Sequence, residues 1–189
     1  MVCKKLRALI VLVSVACGAA AGAGTSEPQD PDPPMAGRFP DSTLIGHEHK
    51  DQGEYRFVIE VDEAGEIGGR VIRGRVTRYL YRQPEDTPIF LIHGHYQKAL
   101  KDAGAEVIFT CSNEACGPAE LAEKWRRVTG LRSKSGADCE YIAARTRNGD
   151  SWSWIALMIG TELTEIDVID EAMEKPGEPK PVEPPADAK

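Results

Sequence analysis

Residues 87–110 read TPIFLIHGHYQKALKDAGAEVIFT, and this stretch decides the fold. Thr87 suits an N-cap, Pro88 the first helical position and Gly104 the C′ position. Ile89, Ile92, Tyr96, Ala99, Leu100 and Ala103 fall on one face at helical spacing, so a helix is predicted over Pro88–Ala103. Gly94 inside it costs roughly 1 kcal/mol relative to alanine, so packing must hold it. Glu106–Thr110 follows at once as a strand, the pattern of a helix laid back on a sheet.

Outward from this unit the chain reads mostly as strand. Tyr55–Val61 and the longer Arg70–Gln83 precede the helix. Glu140–Thr146, Ser151–Ile159 and Glu162–Asp170 come later, after a short helix at Pro118–Val128 that presents Leu121, Trp125 and Val128. Asn148-Gly149 marks a hairpin turn, because both central residues of a type I′ turn need positive φ. Strands in runs with helices interposed twice predict an α+β class. The expected form is a mainly antiparallel sheet covered on one face, with one long helix and one short helix packed on it.

The first 23 residues read as an export signal. Lys4, Lys5 and Arg7 give a basic start, Ala8–Ala16 an apolar run and Cys17–Gly24 a small-residue exit. A run of nine residues, eight of them apolar, is too short for a permanent membrane span. Two processing readings compete. Ala21-Gly22-Ala23 is a small-x-small site that releases a soluble protein starting at Gly24. Ser14-Val15-Ala16-Cys17 looks like a lipoprotein box, in which Cys17 carries a lipid. Either way the expected location is the periplasm or the periplasmic face of the outer membrane, an oxidising setting where thiols pair.

Removing residues 1–23 takes away three basic residues and no acidic one, which turns the formal net charge from −7 to −10. Such a chain lacks the basic footprint that nucleic acids or anionic membranes require. No nucleic-acid partner is expected, and a membrane only through a lipid on Cys17. Five prolines fall in Glu27–Pro40 and five more in Glu174–Lys189. Residues 24–40 and 174–189 are therefore read as extended, disordered proline-rich tethers around a single domain at 41–173.

Four residues separate Cys111 from Cys116 in a loop that can close as a local disulfide. Redox-active pairs usually have two intervening residues, which argues against that chemistry, and an oxidising location argues against zinc. Cys139 makes the count odd: it is either a buried thiol or the partner of Cys111 or Cys116. The four histidines form two H-x-H pairs. His93 and His95 cannot chelate together on a helix, whereas His47 and His49 share a face of a strand and are the weak metal candidates. Strand alternation places Arg73 and Arg75 with Thr77, Tyr79 and Tyr81, apart from Arg70, Arg78 and Arg82. Arg73 and Arg75 are the candidates for anion or partner contacts, against the plainer reading of a solvated face. Trp152 and Trp154 share a face, where core packing explains them more simply than stacking on sugars. No nucleophile elbow, phosphate-binding glycine loop or HExxH signature occurs, so neither a catalytic residue nor a cofactor is expected.

The strings RFPDSTLIGHEHKDQGEYRF, GRVTRYLYRQPED and HYQKALKDAGAEVIFTCSNEACG, in that order, resemble an uncharacterised domain of proteobacterial envelope proteins. That domain often precedes an OmpA-like peptidoglycan-binding domain. The matching pieces are Pro40–Ser42, Tyr55–Phe57, Tyr81–Pro84, Tyr96–Gly104 and Cys111–Gly117 within residues 39 to 172. The relatives continue into the OmpA-like domain where this sequence has its proline-rich stretch, so peptidoglycan binding is not carried over. The family assigns no catalytic residues. The first expectation is a noncatalytic envelope module that binds or scaffolds an envelope protein or a wall component. The rival expectation is a periplasmic thiol-dependent enzyme or redox protein using Cys111, Cys116 or Cys139.

Overall fold

The computed structural model describes residues 32–132 and 138–172. Residues 1–23, read above as an export signal and including Cys17, residues 24–31 and residues 174–189 lie outside the described residues. Six strands form one antiparallel sheet: β1 (Thr43–Val61), β2 (Ile67–Arg82), β3 (Glu106–Ser112), β4 (Glu140–Asn148), β5 (Ser151–Ile159) and β6 (Leu163–Glu171), in the order β1-β2-β6-β5-β4-β3. The two helices are α1 (Ile89–Asp102) and α2 (Ala122–Thr129).

The expected α+β class is corrected by these elements. Strands hold 51% of the described residues, while the helices have 14 and 8 residues, so the fold is sheet-dominated. Most of the difference lies in β1, which begins 12 residues before the expected Tyr55. Thr43–Glu54 is exposed along most of its length and shows no apolar alternation. Pairing with β2 from Thr43↔Arg82 onward makes it a strand, which is a tertiary effect that local propensity does not carry.

One-sided cover is corrected as well. Ile142, Ala144, Ile155, Leu157, Ile166 and Val168 pack under Ile92, Tyr96 and Leu100 of α1. The alternate residues Tyr141, Ala143, Trp154, Ala156, Met158 and Ile169 pack with Trp125 of α2 on the other face. The central strands are therefore buried on both sides and read as nearly continuous runs. α1 starts one residue later than expected, because Pro88 takes the cap position in an extended conformation. Gly104 (φ +71) ends it as expected, with the Ala105 amide donating to Leu100 O at 2.9 Å. Asp32–Pro40, the second half of the stretch read as a tether, lies against the α1 face. Ala36 is buried there, Met35 and Phe39 pack beside it, and the Phe39 amide donates to Tyr96 Oη at 3.1 Å.

The second face is closed by the chain's own hairpin. β2 pairs with β6 only from Gly74↔Glu171 to Arg82↔Leu163, so Ile67–Arg73 leaves the sheet still paired to β1. The bend falls at the Gly53↔Gly74 pair, beside a register shift in β1. A Cβ on Gly74 would stand 1.9 Å from Asp170 O, so only glycine lets β2 run this close to β6. The released half lays Tyr55, Phe57, Val58 and Ile72 over the sheet. Tyr141 Oη donates to Val58 O at 3.3 Å, Phe57 meets the Trp154 ring at 5.2 Å, and Lys124 of α2 pairs with Glu66 at 2.7 Å.

Candidate functional site

The bend opens a cleft of about 1000 Å³ at the end of the sheet. Its walls are Asp51–Glu54 of β1, Arg73–Arg75 of β2, Asn148, Asp150 and Ser151 at the β4–β5 turn, and Asp170–Ala172. Arg73 and Arg75, the arginines singled out in the sequence, both line it. Arg73 Nε donates to Glu54 at 2.7 Å. Five carboxylates (Asp51, Glu54, Asp150, Asp170 and Glu171) outnumber these two guanidiniums, so the cleft is acidic. It suits a polar segment carrying amines or guanidiniums better than a simple anion. The lining holds no cysteine or histidine, and its one serine, Ser151, donates its hydroxyl to Glu171 O at 2.5 Å. Behind the wall, Ser153 Oγ donates to Asp170 at 2.5 Å and fixes that carboxylate.

A second charged group lies under the folded hairpin. Arg78 of β2 donates from Nε and Nη2 to the two oxygens of Asp167 at 2.7 and 2.8 Å, and its Nε stands 3.1 Å from Glu165. Both carboxylates are buried. Burial raises the Asp167 carboxyl above the ordinary carboxylate value, and the Arg78 hydrogen bonds and charge pull it part of the way back. Burial opposes the charge on Arg78, but Asp167 and Glu165 outweigh it and hold the guanidinium above its usual value. Glu165 also accepts from the Arg132 amide at 2.5 Å. Burial pushes the phenols of Tyr55 and Tyr141 up as well, with the Asp167 charge adding to it. These groups are spent on one another, and the cluster ties β2 and β6 to the end of α2.

The remaining candidates fall apart from one another. Cys111 and Cys116 form a disulfide whose sulfurs are buried beside Trp125, and Trp125 Nε1 donates to Cys116 O at 3.0 Å. Cys139 is buried in the same core and lies outside the disulfide. His47 lies on the Tyr79 ring, and His49 places one ring nitrogen on Thr77 and the other on Asp51. His93 faces Glu140 at 3.8 Å, while His95 meets the rings of Phe39 and Tyr96. Among the described residues no group of three or more His, Cys, Asp or Glu is placed to hold a metal.

Trp154 is buried and Trp152 half-buried, and both are stacked with arginine. The guanidinium carbons lie 4.5 Å (Arg70) and 5.5 Å (Arg145) from the Trp154 ring centre. For Trp152 the distances are 4.5 Å (Arg145) and 4.2 Å (Arg147). Sequence reading missed this ladder because it set the turn at Asn148-Gly149, one residue early; of these two only Gly149 has positive φ, and Asn148 is paired with Ser151. A two-residue turn at Gly149-Asp150 sets Arg147 opposite Trp152 and Arg145 opposite Trp154, which is the observed register.

No protein-family model matches the chain, and no curated protein does.

Proposed function

We propose that the protein is a noncatalytic binding module of the cell envelope, exported by residues 1–23, that holds a polar segment of an envelope protein or wall component in the cleft at the sheet end. The observation that carries this reading is the cleft's composition. It is large, open and rich in charged side chains, yet the only candidate nucleophile in its lining, Ser151, is engaged by backbone. Burial of all three described cysteines supports binding over thiol chemistry, since buried thiols lack the access and thiolate character that reactivity needs. The basic, apolar and small-residue order of the first 23 residues and the resemblance to the envelope domain support the location. Whether Cys17 carries a lipid decides between a diffusing and an anchored form.

The test compares the mature protein with the double variant Glu54→Arg/Asp150→Arg as baits in detergent-solubilised envelope. The wild type is expected to enrich a partner that the variant loses by about tenfold or more, as removal of charge complementarity requires. Equal enrichment by both baits, or none by the wild type, contradicts the reading.

A further inference from the structure

The arginine–tryptophan ladder lies on the opposite face of the sheet end from the Asn148, Ser153 and Asp170 side of the cleft, and two of its three arginines, Arg70 and Arg145, also make ion pairs within the fold. Arg70 reaches from the folded half of β2 onto Trp154, pins the hairpin down and also meets Glu171 at 3.4 Å. Arg145 and Arg147 stand on β4, which is already hydrogen-bonded to β5 from Glu140↔Ile159 to Asn148↔Ser151. Their stacks on the tryptophans join nothing that this pairing does not join. Glu106 takes the Nε of Arg145 at 2.8 Å. Arg147 is exposed and has no carboxylate partner among the described residues. Stacking on an indole holds each guanidinium plane in place, so its fork is ordered before any ligand arrives.

We propose that Arg145 and Arg147 form a docking comb for an extended acidic peptide segment with carboxylates at alternate positions. Two residues along a strand advance about 7 Å, so the two forks are spaced as alternate side chains of an extended peptide are. Each fork offers paired N–H donors to one carboxylate. Because the guanidiniums cover the indole faces, stacking on sugar rings is not available there, which favours a peptide over a glycan. The chain's overall negative charge opposes approach, but at physiological salt it is screened beyond about 8 Å, so the local pairing decides. This surface adjoins the acidic cleft at Glu171, which accepts from Trp154 Nε1 at 2.9 Å, and would take a ligand of opposite sign.

The experiment titrates the mature protein with two synthetic octapeptides of equal composition, one alternating Glu and Ser and one with the glutamates in a block. Tryptophan fluorescence reports on Trp152, and polygalacturonate serves as the glycan control. The alternating peptide is expected to bind about tenfold more tightly than the block peptide, with the gap removed by Arg147→Glu and narrowed by Arg147→Lys, which keeps the charge but loses the fork. Thermal unfolding of both variants is expected to match the wild type. If Arg147→Glu fails to fold, Arg147→Gln replaces it and must show the same loss. Equal affinity for the two peptides, preference for polygalacturonate, or no binding overturns the proposal.

Discussion

The two faces of the sheet are closed by different means. On one, α1 and Asp32–Pro40 lay an almost wholly apolar cover over Ile142, Leu157 and Ile166. On the other, the folded half of the β1–β2 hairpin, α2 and the Cys111–Cys116 loop enclose tryptophans together with the Arg78–Glu165–Asp167 group. The first cover comes from a helix beside its own strand in the chain. The second depends on a bend at Gly74 and on charges that meet across 89 residues of sequence. The helix face is closed mainly by apolar burial, with hydrogen bonds from the Phe39 amide to Tyr96 and from Tyr81 and Arg38 to Asp32 at its edge, whereas the hairpin face also needs its buried charges matched.

The sharpest way to break that comparison is Arg78→Met, which leaves Glu165 and Asp167 buried without their cation. The expected cost is about 3–5 kcal/mol at pH 7, read from urea unfolding. Its pH dependence follows from the raised Asp167 carboxyl. The native state holds that proton more tightly than the unfolded chain, so its contribution is fully present below about pH 4 and lost as pH rises through the folded value. Without Arg78 the loss deepens, so the gap between variant and wild type is expected to shrink toward pH 4. A gap unchanged between pH 4 and 7 would mean that the carboxylates are not the source of the cost.

The helix face gives a smaller effect at the other end of the pH scale. Tyr96→Phe removes the acceptor of the Phe39 amide and is expected to cost about 1 kcal/mol near pH 7. Burial pushes the Tyr96 phenol up to about 12. Its contribution is therefore present below the ordinary value of about 10 and lost as pH rises through the folded one. The variant has no such proton to lose, so its deficit should narrow as the pH passes 10. Loss of several kcal/mol, or a deficit that widens there, would show that Asp32–Pro40 carries more of this face than its packing suggests.

The helix face was legible in sequence because its signals are local: Pro88, Gly104 and the spacing from Ile89 to Ala103. The strands β4 to β6 were legible too, since their apolar runs lie side by side, although the turn between β4 and β5 falls at Gly149-Asp150, one residue later than the Asn148-Gly149 expected. The hairpin face was not. Thr43–Glu54 has no alternation to mark it as strand, and nothing local shows that Gly74 marks a bend rather than a gap in a strand. The arginines that line the cleft were singled out by alternation. The carboxylates that give the cleft its sign reach it from the β1 bend, the β4–β5 turn and the end of β6, and only the fold brings them together.

The claim that the sheet-end cleft is the face holding a partner is tested most directly by photocrosslinking in cells that export the full chain. A photoreactive residue at position 150, in the cleft wall, is compared with one at position 98, on the solvent side of α1. A discrete higher-mass adduct from position 150 and none from position 98 is the predicted result. Adducts of equal yield from both positions, or from position 98 alone, would contradict it.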